Sequence, residues 1–216
     1  MTFYSTNSTP ADYAIKTGAI LEFESMISAG LKVQFIAYLD NFTQNFNSTW
    51  NTEQVYGRND DIATFQGTKR SYSISWTVPA KNIAEAKTNL ANCGFLTQML
   101  YPQYNTNREI KGNNVISQNA LSISKSPLIR LKFANLISKS TLSEDDGLLG
   151  YITSLSWNPT LDMGMFIAKK GEFYPKVITL SIDFNVLHEH QLGFNKTDPA
   201  NDFGGAIGFP FKGGSK

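Results

Sequence analysis

The sequence predicts a mainly β fold with one long helix, arranged as an antiparallel two-sheet sandwich or part-barrel. Three observations favour this fold: a strict two-residue alternation over residues 71–78, a switch to helical spacing directly after it, and further alternating segments on both sides. Side chains alternate between the two faces of a strand, whereas apolar residues three and four apart share one face of a helix. The 216 residues suffice for one large domain, which we place at residues 19–190.

The first part of the chain is predicted as an arm followed by a hairpin. Residues 1–18 are polar and lack periodicity. Residues 19–25 and 31–39 flank a short Ser-Ala-Gly segment, which is the layout of a β-hairpin.

Residues 40–70 are predicted as a long loop. The segment is polar, but it contains Trp50, Tyr56 and Phe65. Loops of more than about 12–15 residues in compact domains are mostly functional or disordered. The aromatic side chains favour an ordered loop that packs against the domain or against a neighbouring subunit.

The alternating strand and the helix come next. In residues 71–78 the apolar side chains of Tyr72, Ile74, Trp76 and Val78 alternate with hydroxyl side chains. A helix is predicted over residues 83–100. Its apolar stripe consists of Ile83, Ala86, Leu90, Cys93, Leu96 and Leu100. Asn82 and Glu85 have the spacing of a capping box.

Later strands are predicted at residues 128–136, 149–157, 163–168 and 176–188. The second of these is expected to place five residues on one face, namely Leu149, Tyr151, Thr153, Leu155 and Trp157. Residues 191–216 are rich in glycine, proline and lysine and are predicted as a flexible tail.

Composition excludes several classes of function. The chain has 19 basic and 18 acidic residues, a net charge of +1, so no basic surface for nucleic acid or for an anionic membrane is expected. The single cysteine excludes an intrachain disulfide. We expect no secretory signal and no membrane span, and therefore folding in a reducing cytoplasm.

No catalytic, cofactor-binding or metal-binding residues are predicted, and the chain is not expected to be an enzyme. His188 and His190 flank Glu189 at a strand end, but zinc requires a third or fourth ligand that no motif supplies. The acidic run at residues 144–146 precedes a strand and is interpreted as a charged turn. Cys93 lies on the apolar stripe of the helix and is interpreted as a core residue.

Two features are candidates for function. Hydroxyl-rich strand faces usually face water, but a wet and uncharged face also suits the lining of a channel. The candidate lining residues are Ser71, Ser73, Ser75, Thr77, Thr179, Ser181, Asp183 and Asn185. Arg58 is either an ordinary loop arginine or an interface anchor, since arginine and aromatic residues are enriched at interfaces. The candidate interface residues are Trp50, Tyr56, Arg58, Phe65 and Arg70.

Several segments in order resemble the baseplate and tail-tube proteins of tailed phages. They are Val-Tyr-Gly-Arg-Asn-Asp at 55–60, Phe-Gln-Gly-Thr-Lys-Arg at 65–70, a helix ending in Leu-Tyr-Pro at 100–102, Ser-Pro-Leu-Ile-Arg-Leu at 126–131, Gly-Leu-Leu-Gly-Tyr-Ile at 147–152, Tyr-Pro-Lys at 174–176 and the strand that ends at His190. The resemblance covers residues 31–190. Asp61 stands where the pattern has proline.

The resemblance implies a tail-tube fold in a tube-initiator or hub-like protein. Six copies would form a ring, and one sheet of each copy would contribute to an inner barrel through which DNA passes. The implied partners are other copies of the chain and neighbouring tail-tube and baseplate proteins, with DNA only as cargo, no cofactor and no membrane. The resemblance also implies that the protein is located in the virion tail or baseplate. On this interpretation, Arg58→Glu abolishes ring formation without unfolding the subunit.

Two other hypotheses stay open at this stage. The first is a virion domain that binds carbohydrate or a receptor, with exposed aromatic side chains on a groove. The second is a small hydrolase that uses paired acids, although the sequence supplies no second half of an active site.

Overall fold

The computed structural model describes residues 20–28, 30–36, 38–105, 109–111, 114–117, 122–138, 147–189 and 192–194. The predicted arm, most of the predicted tail, the acidic run at 144–146 and His190 lie outside these residues. The strands are β1 (Ile20–Ser25), β2 (Lys32–Ile36), β3 (Tyr38–Glu53), β4 (Ile62–Pro79), β5 (Gln103–Asn105), β6 (Glu109–Lys111), β7 (Asn114–Ser117), β8 (Ser122–Lys125), β9 (Ile129–Phe133), β10 (Leu148–Pro159), β11 (Met165–Lys169), β12 (Glu172–Pro175) and β13 (Val177–Val186). The helix α1 spans Ile83–Gln98, and a 3-10 turn spans Leu161–Met163.

One seven-stranded antiparallel sheet dominates the fold. Its strand order is β2-β1-β9-β10-β13-β4-β3, and three small two-stranded sheets accompany it. The predicted mainly β, antiparallel fold with one helix is therefore confirmed. The main strands are hydrogen-bonded into one continuous sheet, not into two separate sheets.

The main sheet curls until its two edges approach each other. Strands β2 and β3 are opposite edges of the sheet, yet position 37 is the only residue between them. The Phe23 ring on β1 stacks on Trp76 of β4 with 5.8 Å between ring centroids, and Phe35 of β2 lies 5.7 Å from the same indole. The apolar side chains of both halves thus form one core. Among the described strands β2 and β3 do not pair, so the curl stays open.

The segment predicted as a loop over residues 40–70 is a long β-hairpin. Strand β3 runs to Glu53, β4 begins at Ile62, and only residues 54–61 form the turn. The prediction was wrong because both faces of the outer hairpin are exposed. A strand that buries neither face shows no apolar alternation. Residues 31–39, predicted as one strand, are divided between β2 and β3.

Strand β10 contains a bulge that changes which side chains share a face. Its register against β13 shifts between Ile152 and Ser154, so Leu155 and Trp157 face the core side and Tyr151 faces the other side. The predicted common face of Leu149, Tyr151, Thr153, Leu155 and Trp157 is therefore wrong, because a bulge inserts one residue and reverses the alternation. Just before the bulge, a Cβ on Gly150 would lie 2.2 Å from the Asn185 carbonyl oxygen, so only glycine fits.

Helix α1 packs its predicted stripe into the core. Ala86, Cys93 and Leu96 are buried, and Met99 continues them just beyond the helix. Asn82 Oδ1 accepts a hydrogen bond from the Glu85 N–H at 2.8 Å. The Glu85 carboxylate accepts from the Lys81 N–H at 2.7 Å, one residue before the position that a capping box uses.

Burial of Cys93 gives a direct test of the core. Burial raises the pKa of its thiol to about 11, so the neutral thiol is favoured in the folded chain. The contribution of this pKa shift to folding stability is fully present below the unfolded pKa of about 8.5. It is lost as the pH rises through the folded pKa of about 11. We expect Ellman's reagent at pH 8 to react slowly with the native protein and completely in urea. Rapid native labelling would contradict the assignment.

Candidate assembly surfaces

The eight candidate lining residues lie together on the side of the sheet opposite the core. They form four directly opposed pairs on β4 and β13: Ser71 with Asn185, Ser73 with Asp183, Ser75 with Ser181, and Thr77 with Thr179. The side chains between them, from Tyr72 to Val78 and from Ile178 to Val186, are buried. The alternation of these two strands therefore separates a dry face from a polar one.

The neighbouring strands extend this surface to four strands. Outward residues of β3 and β10 continue each pair into a row of four, and we call these four rows the polar face. The rows are Asn45-Ser71-Asn185-Tyr151, Thr43-Ser73-Asp183-Ser154, Asn41-Ser75-Ser181-Ser156 and Tyr38-Thr77-Thr179-Asn158. None of these side chains is buried. The sequence analysis missed the contribution of β3 and β10 because a loop prediction and an unrecognised bulge hid their alternation.

The polar face carries almost no charge. Asp183 is the one carboxylate in the four rows, which contain no lysine or arginine. The hydroxyl groups bind one another and their neighbours: the Ser156 and Ser181 oxygens are 2.8 Å apart, and the Thr77 hydroxyl donates to Asp40 at 2.6 Å. The surface is wet and hydrogen-bonded but offers no cation to a phosphate.

The same side of the sheet is charged on the other three strands. Lys32 of β2 lies 3.5 Å from Glu22 and 3.4 Å from Glu24 of β1. Arg130 of β9 binds both carboxylate oxygens of Glu189, at 2.7 and 2.9 Å. The absence of charge is thus confined to β10, β13, β4 and β3.

Those four strands have a free edge on each side. Strand β9 pairs with β10 only over Leu148 to Gly150, so no described strand pairs with the outer edge of β10 beyond Gly150. The outer edge of β3 is likewise unpaired among the described strands. Because each neighbour in the order β10-β13-β4-β3 is antiparallel, the two free edges run in opposite directions.

The outer part of the β3–β4 hairpin projects beyond the sheet, and we call it the ribbon (residues 46–70). Strand β13 pairs with β4 only as far as Ser71. On one side of the ribbon Trp50 and Phe65 pack edge to face with centroids 5.1 Å apart. A register shift at this point pairs the two rings, yet they remain 55% and 54% exposed. Tyr56 and Arg58 lie in the exposed turn at the tip.

Arg70 differs from the other four candidate interface residues. Its side chain is only 3% exposed, and its guanidinium group donates to the Tyr72 hydroxyl and lies over the Phe46 and Tyr72 rings. Burial lowers the pKa of Arg70 and raises the pKa of Tyr72. Arg70, predicted as an interface residue, is buried within the subunit at the base of the ribbon.

The described residues show no group of three or more metal-ligating side chains. Strand β13 ends at Val186, before His188, and His190 lies outside the described residues. In the described part of the chain no helix has the length and apolarity to cross a bilayer.

Comparison with known proteins gives a structural neighbour. No protein-family model and no curated protein matches the sequence. The chain is similar to a protein in the tail of an empty gene transfer agent particle with C6 symmetry, with 11% identity and a TM-score of 0.33. The similarity covers 79% of this chain and 92% of the other. It concerns the path of the backbone and no residue of the surfaces described above.

Proposed function

We propose that the chain is a non-enzymatic structural subunit of a phage-type tail, which joins copies of itself into a ring around a channel for DNA. One observation supports this most: an uncharged polar face occupies the four strands that have two free edges. The same strands would therefore both join neighbouring copies and line the space that they enclose.

The free edges favour continuation of the sheet from one copy to the next. Unpaired strand edges are templates for pairing with another chain, and natural monomers block them with charges, prolines or bulges. The β3 edge is long and almost uncharged over Asn41 to Thr52. Since β3 and the outer part of β10 run in opposite directions, β3 of one copy would extend the antiparallel sheet of the next at β10. Repetition of one such contact closes a ring when the rotation from each copy to the next adds up to a full turn.

The polar face suits passing DNA. Lysine and arginine bind DNA phosphates, and the release of counterions favours the bound state. Hydroxyl and amide side chains, with the carboxylates of Asp183 and of Asp40 beside Thr77, would keep the channel wall hydrated without binding the polyanion. The resemblance to tail-tube proteins implies six copies, a position in the baseplate hub or tube, and contacts with neighbouring tail proteins.

Native mass spectrometry of the purified 24.0 kDa chain, followed by negative-stain electron microscopy, tests the proposal. We expect a mass that is an integer multiple of the subunit and particles with a central hole. A monomer at all concentrations, or a two-fold dimer without a hole, would contradict it.

A second candidate function rests on the ribbon. The exposed pair Trp50 and Phe65 could stack on a sugar ring, as expected for a carbohydrate-binding domain. Saccharide binding that is lost in Trp50→Ala would favour the carbohydrate-binding function. Binding to other copies of the chain favours the tail-subunit function.

A further inference from the structure

A groove lies at the opening of the curled sheet, between the end of β2 and the start of β3, and we call this opening the seam. The buried side chains of Phe35 and Val78 line the inner part of the groove, and the exposed residues Ile36, Tyr38 and Pro79 line its mouth. Its volume is about 580 Å³, within the range of about 300–1,000 Å³ that is typical of ligand sites. The groove is therefore large enough to receive several side chains.

Helix α1 forms the second wall of the groove and is bonded to both sides of the seam. Asn92 Nδ2 donates a hydrogen bond to the Gln34 carbonyl oxygen of β2 at 3.3 Å. Asn89 Nδ2 donates to the Pro79 carbonyl oxygen at the end of β4, also at 3.3 Å. In the part of the chain that the structure describes, no donor reaches the two amide oxygens. The wall thus offers two acceptors beside an apolar floor.

The described chain begins at this groove. Ile20, the first described residue, belongs to the lining and lies opposite Ile36 at the end of β2. Residues 1–19 precede it in the sequence. An extended chain spans at most about 3.3–3.6 Å per residue, so the last eight of these residues reach up to about 29 Å from Ile20. That length is sufficient to run along the groove.

The segment before Ile20 carries side chains that complement the lining. Tyr13 and Ile15 are two residues apart, so an extended backbone places both on one face. This face matches the apolar floor of the groove in chemical character.

The charges of the two surfaces also correspond. Lys81 and Glu85 are the charged residues of the lining, and both are exposed. The segment contains one residue of each sign, namely Asp12 and Lys16. Both surfaces therefore offer an ion of each sign to the other.

We propose that residues 12–19, which we call the strap, lie in the groove of their own subunit and close the seam. Tyr13 and Ile15 pack on the apolar floor, and Lys16 lies beside Glu85. Because β3 begins at Tyr38 on the mouth of the groove, the strap also fixes the start of the strand whose outer edge is free. The inference concerns the single subunit and does not require that rings form.

Tethering favours the strap over any other occupant. A short flexible linker holds a binding group at an effective concentration in the millimolar range. A second copy of the chain at micromolar concentration would have to bind about 1,000-fold more tightly to compete. The groove is therefore occupied by its own chain.

Trypsin cleavage after Lys16 tests whether the strap is bound. Thr88 is exposed and lines the groove, so the indole of Thr88→Trp occupies the groove and displaces the strap. We expect trypsin to release residues 1–16 from the native wild-type chain at least about tenfold more slowly than from Thr88→Trp. Mass spectrometry of the released peptide measures the initial rate.

Ala91→Trp is the matched control, because Ala91 is exposed on α1 and lies outside the lining. This variant should protect Lys16 as well as the wild-type chain does. Equal cleavage rates in wild type and Thr88→Trp, whether fast or slow, would overturn the proposal. Unchanged urea midpoints show that both variants fold.

Disulfide trapping identifies which copy supplies the strap. The full chain with Asn89→Cys receives a second cysteine by one of four substitutions: Tyr13→Cys, Ala14→Cys, Ile15→Cys or Lys16→Cys. We expect at least one pair to give a monomer with an intrachain disulfide, which migrates faster on a non-reducing gel. The same four substitutions combined with Ala91→Cys should give none.

The native cysteine does not interfere, since Cys93 is buried. Disulfide-linked dimers in place of the monomeric product would show that the strap comes from a second copy, and would overturn the proposal. The absence of both products from all four pairs would overturn it as well.

Discussion

Lysines placed on the polar face should make the proposed channel retain DNA. In assembled rings of Ser71→Lys/Ser75→Lys, each copy adds two cations to the wall, opposite the neutral residues Asn185 and Ser181. Each phosphate contact adds about 0.9 to the slope of log affinity against log salt. We expect duplex DNA to bind at least about 1,000-fold more tightly at 50 mM than at 200 mM salt, as for proteins with 6–10 phosphate contacts. Fluorescence anisotropy of labelled DNA against salt measures this.

The control variant places the same two added lysines on helix α1. Ala84 and Ala91 are exposed on α1, away from the polar face, so Ala84→Lys/Ala91→Lys should bind DNA weakly and with a smaller salt slope. Both pairs occupy non-core positions and should change the free energy of unfolding by less than about 1 kcal/mol. Equal DNA retention in the two variants would show that the polar face does not line the channel.

Trp76→Ala should unfold the subunit or bring it close to unfolding. Trp76 is fully buried and its indole joins the two halves of the curled sheet through Phe23 and Phe35. Truncation of a buried tryptophan costs about 3–5 kcal/mol, a large part of the 5–15 kcal/mol typical of a folded domain. Urea titration followed by circular dichroism should show a midpoint far below that of the wild-type chain.

Trp76→Phe separates aromatic packing from the polar atom. The indole Nε1 is buried and has no hydrogen-bond partner among the described residues, and an unpaired buried donor costs about 1–3 kcal/mol. Phenylalanine keeps the ring contacts and removes that donor. We therefore expect it to cost less than half as much as alanine. A free energy of unfolding of Trp76→Ala within about 1 kcal/mol of wild type would contradict this role of Trp76 in the core.

Sequence predicts this fold best where one face of an element is buried. In β4 and β13 the strict alternation of Ile74, Trp76, Ile182 and Phe184 with hydroxyl residues fixes both the core and the eight polar positions. Helix α1 likewise follows from its apolar stripe. The two-residue period is the direct result of burying one side of a strand, so these predictions agree with the structure.

Other features depend on contacts that no local pattern encodes. The ribbon buries neither face, so Asn45 to Thr52 resemble a loop in composition although they are strand. The bulge at Thr153 reverses the faces of β10 by a single inserted residue. The burial of Arg70 is not predicted because arginine is rarely buried, and its position depends on the Tyr72 hydroxyl and on the rings of Phe46 and Tyr72.

The pairing of β1 with β9 has a consequence for synthesis of the protein. Leu21 and Phe23 lie opposite Phe133 and Leu131, so the first strand cannot complete its hydrogen bonds until more than half of the chain has left the ribosome. At about 5–20 residues per second, the aromatic residues of the first hairpin stay uncovered for seconds, and partners so far apart in sequence pair slowly. The nascent chain is therefore most vulnerable to aggregation, and most dependent on chaperones, before its ninth strand emerges.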